Sequence, residues 1–275
     1  MTVKQRLVLG LVVFTGLGTA LYFLPRSVVS PGKKLETARP ASDSSAAVVQ
    51  ADVHATPPGV REEIESLRKQ AGVPAEKSSQ AGTFEKLARA YARGNRFDSA
   101  GYFYEKAQSL SGKDLSYESG SAYYEALAFT RQPSQAEVLA GKARTLLEKV
   151  PASDPRHTES QARAALTWVN SPTPMKGILR LRELAEKNPD NEFVAFQLGM
   201  LSFQSGQYDK AVARFEKVTR LNPENVNAWF YLAQSHQQTG NLPEARKAID
   251  KGLPLAKEED TKASFAELRK LTEEK

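Results

Sequence analysis

Small and bulky residues recur at a spacing of 34 through the second half of the chain. Ala165, Gly199 and Ala233 form one column, Gly177, Ala211 and Ala245 a second, and Leu181, Phe215 and Ile249 a third, while Pro189 and Pro223 close two of the units. Recurrence at this period marks a stacked array, in which no unit buries its apolar face alone and neighbours complete the core. Each column has a physical reason. A small residue on each of two helices lets their backbones cross closely. A large apolar residue four positions later fills the space beside the crossing, and proline, which lacks an N–H, stops the second helix. The spacing therefore predicts an all-α solenoid of stacked helix–turn–helix units.

The columns resemble the tetratricopeptide repeat (TPR) family, whose repeating unit has the pattern W-x2-L-G-x2-Y, then A-x3-F, then P. The last full copy has Trp229, Leu232, Ala233, Ala245 and Ile249; the one before it has Leu198, Gly199, Gly206, Tyr208, Ala211, Phe215 and Pro223. A third carries Ala164, Ala165, Trp168, Gly177, Leu181 and Pro189, and an upstream copy carries Phe84, Leu87, Ala88, Tyr91, Phe97, Ala100, Tyr104 and Ala107. Between the last two lies an irregular unit. Tyr117, Ser121 and Tyr124 fit its first helix and Ala143, Leu147 and Pro155 its second, but Ala100 and Ala143 stand further apart than one period, so its first helix or the turn at Arg131–Pro133 must be longer. Ser202 and His236 stand where the family prefers a large aromatic, Gln161 and Ala195 where it prefers tryptophan, and Ser171–Pro174 replaces the usual glycine turn. Five hairpins are expected, near 80–93/97–109, 115–131/134–150, 157–169/174–187, 191–205/208–220 and 225–239/242–252. They form an array over 80–256, preceded by a short helix and loop at 58–79 and capped by a helix over 257–275.

Ahead of the array, after a tail at 1–6, Leu7–Leu24 is an uninterrupted uncharged run between Lys4/Arg6 and Pro25/Arg26. As a helix it measures about 27 Å, near the thickness of a bilayer's hydrocarbon core. It is too long for the apolar region of a cleaved secretory signal, and Val28–Ser30 makes a poor cleavage site, so an uncleaved single-pass anchor is expected. The basic residues on either side do not favour one orientation. The layout, a short basic head, an apolar run and then a long domain, is that of a signal-anchor, which places the repeats on the periplasmic side of a bacterial inner membrane. The stretch 25–57 holds four prolines, no aromatics and many Ser and Ala, the composition of a flexible tether with a reach of about 30 Å.

Chemistry-bearing patterns are missing. The chain has no cysteine, which excludes disulfides, thiolate metal sites and a cysteine nucleophile. His54, His157 and His236 are far apart and form no H-x3-H or HExxH pair. Gly112–Lys113 and Gly141–Lys142 lack the rest of a phosphate loop, and Glu62–Glu63 and Glu258–Asp260 fall at helix starts, where acids favour the macrodipole. No enzyme activity, cofactor or metal is expected. Lys and Arg total 38 against 32 Asp and Glu, with both signs interspersed, so no nucleic-acid face is expected either.

Function must then come from a surface. The family resemblance implies that the first helix of each repeat lines a concave side that holds a protein or peptide partner. On the fourth first helix Phe193, Phe196, Met200 and Phe203 make a second apolar stripe beside the packing face, with Gln204 next to it; one repeat further on lie Asn227, Phe230, Gln234, Gln237 and Gln238. Aromatic and Met walls with side-chain amides suit gripping apolar side chains while bonding a peptide backbone. The same stripe reads equally well as core. Acidic C-terminal tails do not fit, since Phe, Met and Gln occupy the family's cationic clamp positions. Three roles remain open: an anchored assembly scaffold, an accessory factor of the cytochrome c maturation type implied by similar anchored repeat proteins, and a self-associating structural protein without a groove.

Overall fold

The computed structural model describes residues 56–273; the Leu7–Leu24 run, nearly all of the expected tether and the last two residues lie outside them. No helix among the described residues is long and apolar enough to cross a membrane. The described chain is all helix and turn: α1 Pro58–Ala71, α2 Lys77–Arg93, α3 Phe97–Ser111, α4 Ser116–Ala126, α5 Pro133–Leu147, α6 His157–Val169, α7 Pro174–Lys187, α8 Glu192–Gln204, α9 Tyr208–Leu221, α10 Val226–Gln238, α11 Leu242–Gly252 and α12 Glu259–Glu273. Each packs mainly on its sequence neighbours, while alternate helices α4, α6, α8 and α10 also touch one another. The result is a TPR-like solenoid, with α2/α3, α4/α5, α6/α7, α8/α9 and α10/α11 as successive hairpins.

The turns explain themselves residue by residue. Asn95, Gly206 and Gly240 occupy the same repeat position, and all three have positive φ, of 57°, 72° and 79°. Asparagine and glycine are the residues that tolerate this region. In the third hairpin the position is Pro172, whose φ cannot be positive. There the Ser171 hydroxyl accepts from the Thr173 N–H at 3.1 Å and Pro174 opens α7 at its first turn. Asn191 and Asn225, one period apart, cap α8 and α10 by accepting from the Val194 and Ala228 N–H groups at 2.9 and 2.8 Å. Caps of this type stabilise a helix by about 1 kcal/mol.

The recurring columns are the crossing points. Leu181, Phe215 and Ile249 are fully buried, as are Ala211, Ala233 and Ala245. At Gly177 a Cβ would lie 2.3 Å from the Ala165 carbonyl oxygen, so α6 and α7 cross at backbone contact. The second hairpin differs from its expected register by one residue. Its close approach is at Gly120, where a Cβ would meet Leu147 Cγ at 2.8 Å, and Tyr123, not Tyr124, is the buried ring, packed over Gly101 of α3. Ser121 is only half-buried. The extra residues lengthen the arms beyond this crossing: α4 continues as a 3-10 turn over Leu127–Phe129, and α5 starts at Pro133, well ahead of Leu147. Both ends of the stack are covered. Ile64 and Leu67 of α1 join Leu87 and Tyr91 in one cluster, and Phe265 and Leu268 of α12 join Tyr231 and Ile249 in another. Thr56, at the end of the expected tether, is buried against Gly94.

Candidate functional site

The first-helix face of the fourth and fifth hairpins is built on a stack of rings. Phe215 of α9 lies 5.6 Å from Tyr231 of α10 in parallel stacking, and Phe196 meets both edge-on at 5.7 and 6.1 Å. Tyr231 is buried and takes Phe203 and Phe230 on other edges, and Phe230 continues to Phe265 of α12 at 5.2 Å. Edge-to-face contacts at such distances contribute about 0.5–1.5 kcal/mol each beyond area burial. They tie α8, α9, α10 and α12 into one unit.

This arrangement divides the expected stripe. Phe203 is 5% exposed and sits in the core beside Tyr208 and Tyr231. Phe196, Met200 and Phe230 are half-buried over the same cluster, presenting one side outward. Phe193 is half-buried against the adjacent cluster, with the Arg163 guanidinium 5.2 Å from its ring. Gln204, Asn227 and Gln238 are exposed, and Gln237 accepts from the Gln238 amide at 2.9 Å. The Gln234 Oε1 is buried without a donor among the described residues. A buried acceptor of this kind costs free energy until a donor reaches it.

The second and third hairpins make a different surface, which the 34-residue columns do not reveal. Arg156 donates to Glu118 at 2.8 Å and lies over the Tyr117 ring at 4.2 Å. One heptad on, Arg163 donates to Glu125 at 2.7 Å and lies 5.3 Å from the Tyr124 ring centre, while its Nε reaches Glu159. Burial works against the Arg163 charge, but the bonds to Glu125 and Glu159 outweigh it and raise its pKa. Tyr117 is raised by burial and by its bond to Glu159. The signal in the sequence is Tyr-Glu at 117–118 and again at 124–125, matched by arginines at 156 and 163 with the same spacing. The face is thus aromatic at its C-terminal end and cross-braced by charge in the middle.

The residues that depart from the family pattern have found uses. Gln161, 8% exposed, donates to the Leu147 carbonyl at 3.3 Å, and Ser202 receives the Arg214 guanidinium where a large ring would leave no room. An open pocket of 520 Å3 between α6 and α7 is lined by His157, Gln161, Arg180 and Glu183 among others. These pair internally, with Arg180 on Glu183 at 3.1 Å and His157 Nδ1 on the Val150 carbonyl at 2.8 Å. Among the described residues no group of three His, Cys, Asp or Glu side chains is placed to hold a metal.

A tetratricopeptide repeat family model matches residues 202–264. A TPR repeat-containing protein of Pseudomonas aeruginosa is 28% identical over 76 residues, which make up 28% of this chain and 72% of that protein. Among solved structures, a tetratricopeptide repeat protein from Parabacteroides merdae is 16% identical, with 78% of this chain and 92% of that one covered and a TM-score of 0.49. A thermophilic TPR protein of Thermus thermophilus is 20% identical, with 68% and 98% covered and a TM-score of 0.48. YrrB, a TPR protein with an unusual peptide-binding site, is 20% identical, with 74% and 99% covered and a TM-score of 0.39. The repeat architecture rests on the helix pairs described above, not on these superpositions.

Proposed function

We propose that the protein is a non-catalytic interaction scaffold that docks a protein or peptide segment on its first-helix face, at the aromatic end formed by α8 and α10. The observation that carries this reading is the row of half-buried Phe193, Phe196, Met200 and Phe230 on helices that also carry the exposed amides of Gln204, Asn227 and Gln238. Apolar side chains of a partner would cover the exposed ring edges, and the exposed amides of Gln204, Asn227 and Gln238 would bond its backbone. Phe203 belongs to the supporting core, so the contact surface is smaller than the sequence stripe. The apolar run Leu7–Leu24 and the proline-rich segment after it support an anchored protein, with the array held about 30 Å from a bacterial inner membrane on its periplasmic side.

Site-specific photocrosslinking of the full chain in its native membranes tests this. A photoreactive residue replacing Phe196 should give one discrete adduct to another protein, and the same residue replacing the exposed Leu179 of α7 should give none. Equal adducts at both positions, or only adducts between copies of this chain, would reject the docking face in favour of non-specific contact or self-association. Protease accessibility of the segment after Leu24 in sealed vesicles reads the side of the membrane independently.

A further inference from the structure

Charge is divided unevenly between the two helix layers. In the second to fifth hairpins the first helices α4, α6, α8 and α10 carry one Lys or Arg against four Asp and Glu, while the second helices α5, α7, α9 and α11 carry thirteen against seven. The first hairpin is reversed, with α2 basic and α3 acidic, so the basic layer begins at α5. Exposed large apolar residues follow the same division. Val138 of α5, Met175 and Leu179 of α7 and Leu221 of α9 are all exposed, and among the described residues no first helix carries such a residue.

The two features meet at the edge of the third hairpin. Met175, Leu179 and Arg182 fall at i, i+4 and i+7 of α7 and share one outward stripe, which Glu186 closes a turn further on. Met175 and Leu179 are 55% and 52% exposed. Lys176 and Arg182 are exposed and have no acid partner among the described residues, whereas Arg180 is taken by Glu183 at 3.1 Å. The Lys176 Nζ lies 3.8 Å from the centre of the half-buried Trp168 ring, and the Arg144 guanidinium of α5 lies 4.0 Å from it. These contacts gather α5, the end of α6 and the start of α7 at one edge, with the exposed Pro172 in the turn between the last two.

An indole ring and long apolar side chains bordered by cations suit a bilayer interface, with the apolar parts among the acyl chains and the cations at anionic headgroups. A bilayer takes isolated protruding side chains without a matching shape, whereas a protein partner needs about 1,000 Å2 of complementary surface. We propose that the second-helix layer, centred on Trp168, Met175 and Leu179, docks on an anionic bilayer surface. For proximity this rests on the anchored reading: by composition the chain between Leu24 and Thr56 has a reach of about 30 Å, which keeps the layer within contact of the bilayer. The first helices touch one another in a layer of their own, so docking through the second helices leaves the partner face open.

The test is fluorescence quenching on the full chain reconstituted in vesicles whose lipids carry a spin label high on the acyl chain. Since the chain has no cysteine, a fluorophore is attached at Leu179→Cys or, on the first-helix face, at Asn227→Cys, both exposed positions. In vesicles of equal parts phosphatidylglycerol and phosphatidylcholine, the Leu179 label should be quenched at least about twofold more than the Asn227 label. The excess should vanish in phosphatidylcholine alone and in about 1 M salt, where the screening length falls to about 3 Å. It should also vanish in Lys176→Glu/Arg182→Glu, a pair of exposed sites whose change leaves the core intact. Flotation reads the anchor separately: an anchored chain floats with either lipid, and one that floats only with the anionic vesicles lacks the anchor but keeps the surface. Equal quenching of the two labels, or an excess indifferent to lipid charge and salt, would overturn the proposal. So would an unquenched Leu179 label together with a photocrosslink from that position to an acidic protein, which assigns the layer to a protein partner instead.

Discussion

Replacing Gly177 by alanine perturbs the stack at its tightest crossing. The added Cβ would stand 2.3 Å from the Ala165 carbonyl oxygen and 3.0 Å from both Val169 Cγ2 and Val169 N, where ordinary contact begins at 3.4 Å. Two of these three atoms belong to the α6 backbone and cannot swing aside, so α7 must move outward. Overpacking of this kind costs about 1–3 kcal/mol. Alanine in a helix interior returns about 1 kcal/mol relative to glycine. The net loss is therefore up to about 2 kcal/mol, read as a lower urea midpoint at unchanged m-value. The fifth hairpin accommodates alanine on both helices, at Ala233 and Ala245, so the variant should fold with a wider crossing and not lose the hairpin. Gly141→Ala is the matched control: it lies in α5 with nothing within 4 Å of an added Cβ, and should gain up to about 1 kcal/mol. If Gly177→Ala stabilises the protein as much as Gly141→Ala, the close crossing of α6 and α7 is refuted.

The brace between α4 and α6 predicts that Arg163→Met lowers stability by about 1–3 kcal/mol, since it removes charge-assisted bonds to both Glu125 and Glu159 from a side chain only 16% exposed. Arg93→Met breaks an ion pair with Glu63 whose partners are 51% and 44% exposed, and should cost less than about 1 kcal/mol in the same urea titration. Burial holds the His236 imidazole below its ordinary pKa against the opposing pull of Glu216 and Glu244. Between the two pKa values the unfolded chain binds a proton that the folded chain does not. Stability should therefore decline as pH falls below about 6.5, and His236→Gln should flatten that decline in urea midpoints compared on either side of that pH.

Much of the fold is legible in the sequence because the columns are sterically exacting. Only a small residue fits at Gly177 or Ala211, and only a large apolar one fills the space of Leu181 or Phe215, so their recurrence specifies hairpin, turn and crossing together. The second hairpin falls one residue out of the expected register because its close approach is made by Gly120, in the first half of α4, against Leu147, the last residue of α5, and a fixed period carries no information about an arm of altered length. The Phe/Met stripe is ambiguous for a physical reason. Periodicity tells which residues share a helix face, but whether a neighbour covers them depends on tertiary partners, here Tyr231 over Phe203 and Phe265 over Phe230. The arginine braces escape the periodicity because their partners are separated by more than one repeat, so they fall outside any column.

The chain contains no cysteine, which allows the nesting of first helices to be measured by paired cysteine substitution and a short thiol-to-thiol crosslinker. Pairs replacing Glu118 with Arg156, and Glu125 with Arg163, should crosslink rapidly within one chain, while the mismatched pair replacing Glu118 with Arg163 should not. Equal crosslinking of matched and mismatched pairs, or none in the matched ones, would contradict the side-by-side stacking of α4 and α6 on which the array and its docking face depend.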